Sequence, residues 1–588
     1  MPSLSSVDAA LPRAQDSSFM LPALMFAVAA PALLAFNLPP SATLLNQALA
    51  LVAWGVVGTI SAAAADTFVL RRNSGLAGLL AAFALLILAA VAAPLWAGQP
   101  TGLAWSAAGM TFAALVLACT GASARASGHE GLVFGALCWA WLVAGLLSTA
   151  IGIVQVFAPD WADGNVIAAA AFEGRASGNL RQPNHLSSLL LWALIGTAWL
   201  AESGALRRRI AAALATALLF GVVLSASRTG IVGVVLLALW GLLDRRLSRS
   251  TRAALLLAPV AYAAFWLGLS AWAHMSHQLF GGEARVSSNG DISSSRFAIW
   301  SDTLSLIAQH PWAGVGFGEF NFAWSLTPFP DRPVAFFDHT HNLPLQFAVE
   351  LGLPLALLVL SLLAYALWRA FVAGRDAPAG EAITLRAAFM AVLMMVLHSQ
   401  LEYPLWYAYF LLPTALVFGL CLGGPPAPTP NSAPRRAFRP LVAAGILVAL
   451  GGVVTVVDYM RVVAIFSPSP GAAPLPRRIA DGQRSLYFAH HAAYAAVTTA
   501  ARPSDAMPLF SVATHYLLDT RLMMSWATAL AETGDLERAR HIAQRLREFR
   551  NEDAQPFFAP CHDPAEASFE LPFQCTPPSR PFDYRDFR

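Results

Sequence analysis

Along most of the chain, apolar residues run in blocks of about 20, broken by short polar segments rich in arginine, glycine and proline. A helix needs about 20 apolar residues to cross a bilayer. Thirteen blocks fit, opening near Phe19, Thr43, Gly75, Gly102, Gly131, His185, Ile210, Thr229, Ala253, Leu343, Ala387, Pro404 and Leu441. The eighth is short, and the last ends near Phe466. A polar stretch, 274–342, interrupts the series. Its segment "SSSRFAIWSDTLSLIAQHPWAGVGFGEF" predicts a serine-capped amphipathic helix over about 293–309, followed by a glycine-rich turn. The pattern predicts an all-α polytopic membrane protein in three parts: a cytoplasmic N-terminus over 1–18, a membrane domain over 19–466, and a helical tail over 467–588.

In the tail, "MMSWATALAETGDLERARHIAQRLREF" repeats alanine and leucine at helical spacing around a Gly-Asp turn. This resembles a tetratricopeptide hairpin. One such hairpin buries its apolar face poorly, so it is expected to pack on neighbouring helices.

Composition agrees. Mean hydropathy is +0.57, and charged residues are 12% of the 588, against about 25% in soluble domains. A net charge of +3 gives no reason to expect nucleic acid as a partner. The polar first residues and the run after them lack a cleavage site, so no cleavable signal is expected. With the N-terminus inside, alternating spans leave seventeen loop arginines on the cytoplasmic side: Arg13, Arg71, Arg72, Arg125, Arg207–Arg209, Arg245–Arg252, Arg369–Arg386 and Arg435–Arg439. Six fall outside: Arg175, Arg181, Arg228, Arg285, Arg296 and Arg332. The bias orients the chain and sends the tail to the outer side, which in a bacterium is the periplasm. Cys119, Cys138 and Cys421 fall in spans. Cys561 and Cys575 lie close together in the tail, in an oxidising compartment, and are expected to pair.

The six outward arginines defy the charge bias and sit among other polar residues. "EGRASGNLRQPNHLSS" (173–188), "SASRTG" (225–230) and the 274–342 loop carry them, and "HSQLEYPLWYAYF" (398–410) adds Glu402 and Tyr403. Four polar clusters from distant parts of the chain are therefore expected to meet at one membrane face. His341 precedes a helix that Asn342 is expected to cap, with Pro344 in the first turn. A helix N-terminus disfavours imidazolium, which suits a general base. His339 and Asp338 are candidates to orient it. The His-Thr-His pair has no third ligand at convincing spacing, although Asp338 or Glu402 offers a carboxylate, so no metal site is expected. Arginine forks match diphosphate oxygens, and a diphosphate beside a base at the outer surface points to glycosyl transfer from a lipid-linked donor.

The stretch "HNLPLQFAVELG" resembles the His-Asn, nine residues, Gly signature of the O-antigen ligase and polymerase superfamily. "RASGNLRQPNHLSS" and "LEYPLWYAYFLLP" resemble marks of the bacterial protein O-oligosaccharyltransferases of the PglL type. The likeness spans about 177–413, and the tail is also similar to the C-terminal region of such polymerase-like enzymes. One position departs: a second signature glycine, three after Gly352, is Leu355 here.

The resemblance implies a GT-C-like fold and transfer of a glycan from undecaprenyl diphosphate in the periplasm, without metal, cofactor or nucleotide sugar. It carries His341 over as the essential histidine, with Gln182 and Tyr403 as its catalytic companions. Arg175, Arg228, Arg296, Asn184, His339 and Glu402 become the donor- and diphosphate-binding set. The expected acceptor is a serine or threonine hydroxyl on a periplasmic protein such as a pilin, at the inner membrane. Two alternatives stand beside this. One is an O-antigen ligase acting on lipid A core, or an O-antigen polymerase. The other is a lipid-linked glycan transporter, against which the nearly charge-free span centres and the absence of a repeat weigh.

Overall fold

A computed structural model of the chain describes residues 19–64, 73–283, 295–329, 332–334, 336–425, 439–561 and 571–588. The N-terminal segment 1–18 and Arg13, Arg71, Arg72, Arg285, Arg435 and Arg436 lie outside the described residues. Each of the thirteen apolar blocks is helical. In chain order they are α1 (Met20–Leu33), α2 (Leu44–Ala64), α3 (Ser74–Trp96), α4 (Thr101–Ala126), α5 (Glu130–Phe157), α6 (Pro183–Glu202), α7 (Arg208–Leu224), α8 (Arg228–Leu243) and α9 (Arg249–Ser276). The amphipathic α10 (Ser295–Gln309) and the short α11 (Phe320–Leu326) follow. The series resumes with α12 (Leu343–Asp376), α13 (Ala379–His398), α14 (Ala408–Leu422) and α15 (Pro440–Phe466).

Among the described residues, eight helices are long and apolar enough to cross a membrane, and α1, α8 and α14 are shorter apolar helices. No regular strand occurs among them. The chain is an all-α, multi-pass membrane protein. Helix α6 is buried along nearly its whole length, which places it inside the bundle rather than against lipid. Apolar tails compete equally for leucine, so helices in a bilayer associate through close packing of small residues. Helices α4 and α14 use this: a Cβ added to Gly121 would lie 1.9 Å from the Leu416 carbonyl oxygen.

Helix α12 is broken. Gly352 adopts φ +74°, a conformation that only glycine reaches without strain. The carbonyls of Val349 and Glu350 accept from the amides of Val315 (2.8 Å) and Gly316 (3.1 Å), and Leu353 N–H donates to the Pro311 carbonyl at 2.7 Å. The glycine-rich turn after α10 thus satisfies backbone groups that the break exposes. The signature glycine is the place where a second chain segment touches the helix axis.

The tail contains α16 (Leu475–Gly482), α17 (Ala489–Thr499), α18 (Phe510–Ala513), α19 (Thr520–Glu532) and α20 (Leu536–Glu548). Helices α19 and α20 pack as an antiparallel hairpin around Gly534 and Asp535. The tail is not a separate body. Its apolar residues share one core with Ile299 and Leu306 of α10, Phe320 and Trp324 of α11, and Val349 of α12. Arg332, one of the six arginines expected on the outer side, is buried in that core. Its Nη1 donates to the Trp324 carbonyl at 2.7 Å, its Nε to Glu548 at 3.3 Å, and Trp324 and Phe549 cover its guanidinium face. Asp458, near the end of α15, accepts from Ser485 Oγ (2.6 Å) and the Leu486 and Tyr487 amides (3.0 Å each), fixing the tail to the bundle. Cys561 and Cys575 are joined by a disulfide.

A Cβ at residue 352 would meet the Trp312 carbonyl oxygen at 2.4 Å. Gly352→Ala is therefore expected to destabilise the fold by about 1–3 kcal/mol or more and to lower the melting temperature of detergent-purified protein. Gly451→Ala, with nothing within 4 Å of its Cβ, serves as the neutral control.

Candidate active site

The polar clusters meet because several helices begin or end at the same end of the bundle. Gln182 caps α6, its Oε1 accepting from the Asn184 and His185 amides at 2.5 and 2.9 Å. Ser227 caps α8 by accepting from the Gly230 amide at 3.0 Å. Asn342 caps α12 by accepting from the Leu345 amide at 3.0 Å. The chain between α13 and α14, carrying Glu402 and Tyr403, closes over them.

His341 is held against that last turn from both sides. Asn342 Nδ2 donates to the Gln400 carbonyl (3.1 Å) and the Leu343 amide to the Ser399 carbonyl (2.9 Å). Trp300 Nε1 of α10 donates to the Thr340 carbonyl at 2.9 Å. His341 itself sits at φ +56°. A non-glycine residue there carries strain of roughly 1–3 kcal/mol, held in place by its surroundings.

Glu402 is the hub. One carboxylate oxygen lies 2.8 Å from His341 Nδ1. The other accepts from Asn184 Nδ2 at 3.0 Å and pairs with Arg296 of α10. Asn184 Oδ1 in turn accepts from Ser227 Oγ at 2.6 Å, and Ser187 Oγ donates to Ser227 Oγ at 3.1 Å. Burial pushes the Glu402 carboxyl upward, but the His341 hydrogen bond and charge, with the Arg296 guanidinium, outweigh it and hold it at about 2. An ionised carboxylate only accepts. In a neutral imidazole, Nδ1 then carries the hydrogen and Nε2 keeps the lone pair that a base needs.

The partner of His341 is therefore Glu402, not the Asp338 and His339 suggested by proximity in sequence. Those two face each other, His339 Nδ1 lying 2.8 Å from Asp338 Oδ1. With Thr340 between them and the backbone reversing at 341, the histidines point to different neighbours. Tyr403 joins the two, stacking on His339 at 4.3 Å between centroids and meeting His341 edge-on at 5.1 Å. Burial raises the Tyr403 hydroxyl well above its ordinary value, so it remains a hydrogen-bond donor. Gln182, expected among the catalytic companions, spends its carbonyl on the α6 cap; its visible effect is to set Asn184.

The arginines divide. Arg296 is spent partly on Glu402. Arg175 Nε donates to the Ser225 carbonyl at 3.2 Å, and Arg228 is exposed at the start of α8. Both border the 225–228 turn next to Ser227. Arg181 donates to the Ala42 carbonyl at 3.2 Å. Sequence reading missed Ser227 as the link from α8 to Asn184; its signal was the "SASRTG" cap beside an outward arginine. Among the described residues, no group of three or more His, Cys, Asp or Glu side chains is placed to hold a metal. Next to His339 and Trp406 a cavity of about 650 Å³ runs into the bundle.

Residues 212–360 match the O-antigen ligase family, residues 387–557 the C-terminal region of virulence factor membrane-bound polymerases, and residues 176–201 the protein glycosylation ligases. Over these segments the chain is similar to the O-antigen ligase superfamily. The short match over 176–201, which takes in Gln182 and Asn184, is to the protein glycosylation ligases. Two curated relatives come from Acinetobacter baylyi. The chain is 28% identical over 283 residues to a general O-oligosaccharyltransferase, covering 47% of this chain and 49% of the relative. It is 25% identical over 302 residues to a ComP-specific O-oligosaccharyltransferase, covering 51% and 53%. The chain thus spans about half the length of the curated relatives it matches. The superfamily matches take in every residue of the Glu402 hub: Asn184, Ser227, Arg296, His341 and Glu402 itself.

The Glu402 carboxylate makes its stabilising contribution fully above its ordinary value of 4.5 and loses it as pH falls through about 2. The difference in melting temperature between wild type and Glu402→Gln is expected to be constant above about pH 4.5 and to shrink toward pH 2. A gap that widens on acidification would contradict the ionised hub.

Proposed function

We propose that this chain transfers a preassembled oligosaccharide from undecaprenyl diphosphate to serine or threonine hydroxyls of an acceptor protein such as a pilin. The observation that carries this is His341 bonded to Glu402, with Arg296 on the same carboxylate, among the arginine-bearing turns. The relatives' names, general and ComP-specific O-oligosaccharyltransferase, support the reaction class. The surplus of loop arginines at the opposite end of the bundle supports placing the site and tail in the periplasm and the chain in the bacterial inner membrane. Over the domain limits given above, 19–466 provides the catalytic framework and 467–588 covers it.

In the proposed step the acceptor hydroxyl oxygen attacks the anomeric carbon. Its proton passes to His341 Nε2 as the carbon–oxygen bond to the diphosphate breaks. The lipid diphosphate leaves with the electron pair. Arg175 and Arg228 face the developing charge, the kind of preorganised stabilisation that dominates many transfer reactions. Glu402 holds the imidazole orientation and balances its acquired proton. Tyr403 donates a hydrogen bond at the reacting end. The step uses no metal or cofactor.

Replacing His341 by alanine is expected to lower transfer by about 10²–10⁴-fold while the protein stays folded at a reduced melting temperature, measured with purified protein and lipid-linked glycan. Unchanged transfer would remove the base role. The second reading, ligation to lipid A core, draws on the O-antigen ligase match over 212–360. Offering one lipid-linked glycan in parallel with a pilin-like protein and with lipid A core decides between them: the proposal expects product only on the protein.

A further inference from the structure

The cavity beside His339 has two ends of different chemistry. Inside the bundle it is apolar, walled by Phe83 of α3, Met110 of α4, Leu363 of α12 and Phe418 of α14. Under the tail it is polar, and the groups come from four separate segments: Gln99 between α3 and α4, Asp338 before α12, His490 on α17, and His515 with Tyr516 after α18.

Two of these groups are buried with hydrogen-bonding capacity unused. Gln99 and His490 are each 5% exposed, and neither Gln99 Oε1 nor His490 Nε2 has a partner among the described residues. Leaving such an atom unpaired costs about 1–3 kcal/mol, so a pocket that keeps two has a use for them. Gln99 is also housed deliberately. A Cβ on Gly318 would stand 2.1 Å from its Nε2, so the glycine-rich turn makes room for this amide. His515 is fixed by Glu319 at 2.7 Å and stacks on Phe322.

Apart from the Asp338 carboxylate, which disfavours anions, the array is uncharged and suits a neutral polar ligand. Burial keeps the His490 imidazole uncharged, well below its ordinary value, and brings His491 down to about 4. A diphosphate prefers guanidinium forks, and no arginine is among the described residues that line the cavity. Uncharged amide and imidazole groups beside the aromatic faces of Trp406 and Tyr516 match a sugar ring, whose hydroxyls hydrogen-bond at its edge and whose C–H face packs on aromatic rings. The distance to the chemistry is short, since Trp406 and His339 are in ring contact (4.7 Å) and Tyr403 stacks between His339 and His341.

We infer that the polar end of this cavity seats the first sugar of the lipid-linked donor, with the Gln99 amide and the His490 ring, whose Oε1 and Nε2 are enclosed here, turning to meet its hydroxyls or an N-acetyl N–H. The tail thereby takes part in choosing the glycan. This rests on the transfer reading above and adds to it the group that reads the sugar.

The test is equilibrium binding to the full chain in nanodiscs, using undecaprenyl diphosphate and the same lipid carrying one N-acetylglucosamine. The sugar is expected to tighten binding to wild type by about 5–10-fold, as one or two neutral hydrogen bonds would. Gln99→Ala and His490→Phe, on different segments, are each expected to cut that gain by at least about 3-fold, with binding of the bare lipid and melting unchanged. Equal affinity of wild type for the two lipids, or a gain that survives in whichever variant melts normally, overturns the assignment. A shift in acceptor KM with no shift for the donor also overturns it, and assigns the pocket to the acceptor. Failure of wild type to bind either lipid overturns the transfer reading itself.

Discussion

A single carboxylate organises the working end of this protein. Glu402 receives His341, Arg296 and Asn184, and through Asn184 it reaches Ser227. Helices α6, α8, α10 and α12 and the turn between α13 and α14 are thereby tied at one point. A buried charge is tolerated only when its partners offset the cost of leaving water. The same requirement that stabilises Glu402 thus fixes where His341 stands and which of its nitrogens faces outward.

The second core gives this arrangement its backing. Helix α10 supplies Arg296 on one face and Ile299 and Leu306 to the tail core on another. Helix α12 carries His341 just before its first turn and Val349 in the same core. The tail therefore presses on the elements that present Arg296 and His341, and Asp458 anchors it to the bundle beneath. A hairpin of its type, too small to bury its own face, is stable here because α10, α11, Phe329 and Phe337 complete its core.

Much of this was legible in the sequence because the bilayer imposes simple rules. Apolar length marked the thirteen helices, and outward arginines marked the polar loops. The cap at Asn342 follows from residue type next to an apolar run. What could not be read was pairing between segments far apart in the chain. Asp338 and His339 are neighbours of His341 in sequence, yet the left-handed backbone at 341 turns its ring toward Glu402. Arg332 looked like the other outward arginines, but its side chain enters an aromatic core that forms only when the tail folds back. Local sequence carries no record of either, since both depend on contacts across 61 and 216 positions.

The break in α12 has a mechanical consequence. Residues 343–351 lie on one side of Gly352 and the long apolar run to Asp376 on the other. A helix that spans a bilayer leans more or less as acyl chains shorten or lengthen. With a joint at Gly352, braced by the 311–316 turn, the lower arm can lean while the upper arm keeps its bearing against the extramembrane layer. The glycine divides the helix into a short arm beside the histidine and a long arm of spanning length.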